Sequence, residues 1–168
     1  MAELSYSDAT IADILASVET IVMVGASPDW VRPSFFAMKY LQSKGYRVIP
    51  VNPRAAGTDI LGEMTYADLA SVPHKFQMVD IFRNSAAAGA IVDEAISVPR
   101  DKGIQVIWMQ LGVRNDEAAE RAEKAGLKVV MNRCPKIEYG RLFGELAWSG
   151  VNTRIISAKR PAIRRSSR

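Results

Sequence analysis

The stretch Ile21-Val22-Met23-Val24-Gly25-Ala26-Ser27, running into Pro28-Asp29-Trp30-Val31-Arg32-Pro33-Ser34, holds a strand, a glycine break and a helix start. Four consecutive apolar residues, three of them β-branched, read as a short strand buried on both faces of a parallel sheet. Gly25 supplies the backbone freedom of a tight turn and lets a ligand approach the main chain. Ser34 is read as the N-cap of a helix whose Phe35, Met38 and Leu41 recur at helical spacing. A strand, loop and helix in this order offer free N–H groups and the positive end of a helix dipole to a phosphate.

The loop is not the dinucleotide fingerprint. That motif asks for G-x-G-x-x-G and, about 20 residues on, a carboxylate that holds a ribose diol. Ser27 stands at the second glycine position and Trp30 at the third, and the second strand ends Val51-Asn52-Pro53-Arg54 with no acid. A P-loop is excluded because no G-K-[ST] follows Gly25.

At 168 residues, 48% hydrophobic and 24% charged, the chain has the size and composition of one globular domain. No apolar run approaches the ~20 residues of a membrane span. Met1 to Asp8 shows no basic segment followed by an apolar one, so no signal peptide is expected. The single cysteine, Cys134, leaves no intramolecular disulfide and fits a reducing cytoplasm. The formal charge is +4, yet residues 152–168 hold six basic side chains and no acidic one. The remainder of the chain is thus at about −2. The expected division is a folded domain over 1–150 and a flexible basic tail over 151–168. Such a tail is a solubilising end, with nucleic acid not the expected partner.

Asp8 opens a helix with Ile11, Ile14, Leu15 and Val18 on one face. Strands are expected at 21–24, 47–51, 77–82, 104–109 and 127–131. Helices lie between them at 34–43, 85–96 (apolar side Ala90, Ile91, Ala95, Ile96) and 116–125. Arg83-Asn84-Ser85 and Asn115 cap the last two, and Gly45 and Gly126 are stops. Leu61-Gly62 reads as a brief extended piece, Tyr66 to Leu69 as a short helix, and Asn132 to Pro135 as the opening of a last helix. This alternation implies βαβ units with right-handed crossovers. The fold class is α/β, three layers around an open, mainly parallel five-stranded sheet. Such sheets bind ligands at the carboxyl ends of their strands. Ser27, Asn52, Arg54, Arg83, Asn84, Gln110, Asn132, Arg133 and Cys134 all follow strands.

The loops also resemble those of a known family. Val24-Gly-Ala-Ser27, Arg32-Pro-Ser34, Gly45-Tyr-Arg-Val-Ile-Pro-Val-Asn-Pro53, Val79-Asp-Ile-Phe-Arg-Asn84, Trp108-Met-Gln-Leu-Gly112 and Asn132-Arg-Cys-Pro-Lys-Ile-Glu138 are similar, in register, to the small stand-alone CoA-binding proteins. Those proteins are in turn similar to the CoA-binding domain of the succinyl-CoA synthetase α-subunit and of ADP-forming acyl-CoA synthetases. The resemblance covers about residues 10–145. It implies a Rossmann-like fold that binds coenzyme A or an acyl-CoA. By this resemblance Gly25, Ala26 and Ser27 meet the phosphate-bearing part of the ligand, with Ser34 at the helix start. Asn52, Pro53 and Arg54 border the adenosine end, and Arg54 or Arg32 pairs with a phosphate bidentately. Phe82 and Arg83 flank adenine or pantetheine. Met109, Gln110, Asn132, Arg133 and Cys134 approach the pantetheine arm. The synthetases' phosphoryl-carrying histidine has no counterpart, because the only histidine, His74, falls in the surface-like loop Val72-Pro-His-Lys75. Synthetase activity is not expected.

Cys134 precedes Pro135 beside Arg133 and Lys136, surroundings expected to lower a thiol pKa. It is read either as a thiol that forms a mixed disulfide with CoA or takes its acyl group, or as a small buried residue ending a strand. No carboxylate pair or metal-ligand spacing stands out, so binding without catalysis is the expected role. Two alternatives remain. One is an NAD(P)-dependent oxidoreductase, which the absence of an acid at Asn52 opposes. The other is a CoA-sensing module docked on an unidentified protein partner through the basic tail.

Overall fold

Beyond its first residue, every side chain of β1 (Thr20–Val24) is buried, as a strand covered on both faces must be. The computed structural model describes residues 3–144, and the basic tail lies outside the described residues. The sheet elements are β1, β2 (Arg47–Val51), β3 (Asp59–Ile60), β4 (Glu63–Met64), β5 (Met78–Ile81), β6 (Val106–Met109) and β7 (Lys128–Val130). The helices are α1 (Asp8–Ser17), α2 (Pro33–Ser43), α3 (Ser85–Ser97), α4 (Asp116–Lys124) and α5 (Pro135–Phe143).

The main sheet runs β2-β1-β5-β6-β7 and is parallel throughout. In the register, Val22 lies opposite Ile49 on one side and Val79 on the other. With the β3–β4 hairpin set aside, the strands follow the doubly wound order 2-1-3-4-5. This is the expected Rossmann-like architecture. The chain leaves β1 for β2 in one direction and returns to place β5 on the other side. The switch point is therefore at the carboxyl ends of β1 and β5.

Two-residue periodicity sorts the strand side chains into two cores. Ile21, Met23, Met78, Val106 and Trp108 pack with Ile11, Leu15, Met38, Leu41 and Tyr139 under α1, α2 and α5. Val22, Val24, Val79, Ile81, Ile107 and Met109 pack with Val92, Ala95, Ala118 and Ala122 under α3 and α4. Ser7, Asn84 and Asn115 cap their helices by accepting from the backbone N–H groups of Thr10, Ala87 and Ala118. The only described histidine, His74, lies beside Arg47 in a partly exposed loop.

Three expectations are corrected. Ser34 is not the N-cap of α2. Pro33 takes the first helical position and holds Arg32 extended (φ −79°, ψ 142°), so Arg32 is the cap and has no side-chain bond. Tyr66 to Leu69 forms no helix. The Tyr66 N–H donates to Pro50 O at 3.0 Å, its carbonyl accepts from Asn52 N at 2.9 Å, and Leu69 N donates to Glu94 at 2.6 Å. These partners replace helical bonds, while β3 and β4 make a short hairpin. On α3 the buried face is Ala88, Ile91, Val92 and Ala95, with Ala90 and Ile96 outside.

Candidate ligand site

At the end of β1, Gly25 has φ +89°, and a Cβ there would lie 2.5 Å from the Phe82 carbonyl oxygen. Only glycine fits this crossing of two loops. The neighbouring amides are engaged within the protein. Gly25 N–H donates to Val51 O at 2.8 Å, and Ser27 N–H donates to Ser34 Oγ at 3.2 Å. These two N–H groups are therefore not among the free donors expected of this loop and helix start. Ser34 is buried at 4% exposure and braces the loop. Asn52 is a second brace: its Nδ2 donates to Ala26 O at 2.8 Å, and its Oδ1 accepts from Arg54 N at 3.0 Å.

Around this braced loop lies a polar cavity of about 530 Å³, lined by Gly25, Ser27, Arg32, Pro33, Ser34, Asn52, Pro53, Arg54, Phe82 and Arg83. Arg32, Arg54 and Arg83 are exposed and pair with no carboxylate among the described residues. Arg47, Arg114, Arg121 and Arg141 do pair, with Glu63, Asp116, Asp93, and Asp8 and Glu138. Three uncompensated guanidiniums around one cavity make a field suited to an anion with several charges.

Pro33, Phe82 and Arg83 also line a second cavity of about 660 Å³, so the two adjoin. Its other walls are Val31, Phe36, Ala37, Gln110, Leu111, Val113, Cys134, Lys136 and Ile137, most of them apolar. On the floor of the sheet, Gln110 Nε2 donates to both oxygens of Asp80, at 3.0 and 3.2 Å. Asp80 is fully buried, and desolvation raises its pKa to about 7 against the opposing hydrogen bond from Gln110. Burial also pushes the Cys134 thiol above its ordinary value, more strongly than the α5 amides of Ile137 and Lys136 lower it, and the Asp80 charge adds to the rise. The expected lowering of this thiol is thus reversed.

The predicted residues divide accordingly. Gly25, Ser27, Arg32, Ser34, Asn52, Pro53, Arg54, Phe82 and Arg83 share the polar cavity, and Gln110 and Cys134 join Phe82 and Arg83 at the apolar one. Ala26 and Met109 are core residues at 1% and 0% exposure and line neither. Asn132 adopts φ +56° and accepts from Gly112 N at 2.8 Å, joining two loops. Arg133 turns away: its guanidinium lies over Tyr6 and donates to Asn132 O and Leu4 O. The apolar wall of Val31, Phe36, Leu111, Val113 and Ile137 was not anticipated. Its members come from three stretches of chain, 31–36, 111–113 and 137, and no local pattern marks their meeting.

A doubly wound sheet with cavities at its switch point is the architecture of nucleotide-binding domains. Residues 19–140 match the family described as the CoA binding domain, and the chain belongs to that family. It is 30% identical over 133 residues to the uncharacterized protein YneT of Bacillus subtilis strain 168, a match spanning 79% of this chain and 94% of YneT. A hypothetical protein from Pyrococcus horikoshii OT3 is 36% identical with a TM-score of 0.75, over 84% of this chain and 98% of its own. The dinucleotide-forming acetyl-coenzyme A synthetase 1 of Ca. Korarchaeum cryptofilum, at 22% identity and TM-score 0.55, shares the fold over 67% of this chain and 25% of its own. Among the described residues no group of side chains has a metal-binding arrangement, and no helix is long and apolar enough to cross a membrane.

Proposed function

We propose that this chain binds coenzyme A or an acyl-CoA across the two adjoining cavities. The phosphates lie among Arg32, Arg54 and Arg83, and the pantetheine arm runs past Phe82 toward Gln110 and Cys134. The observation that carries this reading is the junction itself: a basic cavity and an apolar one share Pro33, Phe82 and Arg83. Coenzyme A has the same division, a highly charged nucleotide at one end and a lean, uncharged arm at the other. Family membership supports the ligand class. The nicotinamide alternative is disfavoured at Asn52, whose amide already bonds Ala26 and Arg54 and carries no charge for a ribose diol.

Titration calorimetry tests this. One CoA is expected per chain, with no measurable heat from NAD. Arg54→Ala is expected to weaken CoA about tenfold or more, the loss of one charge-assisted bond. Heat from NAD and none from CoA would overturn the reading in favour of an oxidoreductase.

A further inference from the structure

We infer that the apolar cavity takes the acyl chain of an acyl-CoA, so that the preferred ligand is a thioester with an apolar chain of several carbons rather than free CoA. This rests on the reading of the two cavities as a CoA site.

Among the described residues, seven large hydrophobic side chains are exposed, and four of them line this one cavity: Val31, Phe36, Leu111 and Ile137, at 54, 48, 56 and 50%. Single exposed hydrophobic residues are ordinary on a protein surface. Convergence is different, because these four come from the loop after β1, from α2, from the loop after β6 and from α5. An apolar rim assembled from three distant stretches of chain marks a surface that is covered in use.

The chemistry of the walls says what covers it. The pantetheine arm that runs past Phe82 has Arg83, Gln110 and Lys136 as polar neighbours for its two amides. Val31, Phe36, Leu111 and Ile137 offer it no hydrogen-bonding side chain and match instead an aliphatic chain carried beyond the sulfur. At about 660 Å³ this cavity alone has the volume of a complete small-molecule site, before the 530 Å³ of its polar neighbour is counted. A ligand anchored by phosphates in that neighbour delivers whatever its sulfur carries to the apolar rim. No bond is made or broken in this binding.

The test is a titration of the full chain with CoA, acetyl-CoA, butyryl-CoA and hexanoyl-CoA. A fully buried methylene strengthens binding about fourfold. A half-open rim then predicts about tenfold tighter binding of hexanoyl-CoA than of acetyl-CoA. Phe36→Ser and Ile137→Ser, at half-exposed positions, should bring that ratio toward one, with circular dichroism checking the fold. If CoA binds and affinity is flat or falls with chain length, the acyl proposal is overturned while the CoA reading stands. If no thioester and no CoA binds, both fall. Sedimentation as a dimer that Ile137→Ser dissociates would assign the rim to a second copy and overturn the proposal.

Discussion

At Gly25 the backbone sits at φ +89° with the Phe82 carbonyl oxygen where a Cβ would be. The glycine and its break were legible, because a strand that stops at glycine and resumes as a helix leaves few alternatives. The internal use of the loop amides was not legible, since Val51 and Ser34 reach Gly25 and Ser27 only once β2 and α2 are docked. In the proposed CoA site phosphate recognition therefore falls more to arginine side chains than to those two amides. Gly25→Ala combines a left-handed backbone with a contact that must be relieved, and should cost about 3 kcal/mol in chemical denaturation. It should also displace the Phe82–Arg83 loop and weaken CoA. A cost within a few tenths of a kcal/mol would mean that the loops separate easily.

Helix starts show which local signals survive folding. Asn84 and Asn115 are caps as their sequence implies, because an Asn side chain reaches the third amide unaided. Ser34 is not the cap because Pro33 is itself the first helical residue, which puts the cap two residues earlier, at Arg32. The start of α5 leaves two readings of Cys134, a reactive thiol or a small buried residue, and at 9% exposure the loss of hydration outweighs the helix amides. Burial depends on what packs across the chain, which residue neighbours do not report. Iodoacetamide should alkylate Cys134 slowly at pH 7.5. The rate should rise through a midpoint above the ordinary thiol value, and bound CoA should protect the residue. A midpoint below pH 8 would show that the helix start governs this thiol after all.

Over the whole molecule, the order of the five strands of the main sheet and the helices between them was readable because each alternates with the other at βαβ lengths, while the β3–β4 hairpin was not. The division of the site into a basic and an apolar cavity was not, since it depends on which distant loops meet. Asp80, placed in a strand from sequence, proves to be a fully buried carboxyl in the middle of the sheet. Its titration should govern the pH dependence of stability. Below its ordinary value of 3.8 the group is neutral in both states, and between there and about 7 only the unfolded chain ionises it. The stability that its neutral form permits is thus full at low pH and declines as pH rises to about 7, by at most about 4 kcal/mol. Denaturation of Asp80→Asn and the parent chain across pH 4 to 8 checks this: the difference between them should follow that decline, and a constant difference would contradict it.

The position of CoA in a crystal structure of the chain with the ligand tests the proposed site most directly. The nucleotide phosphates should contact Arg54 or Arg32 over the Gly25 to Ser27 loop, with the sulfur beyond Phe82 near Cys134. Coenzyme A bound instead at the amino ends of β6 and β7, in the recess around Ile96, Arg100 and Leu127, would contradict this placement.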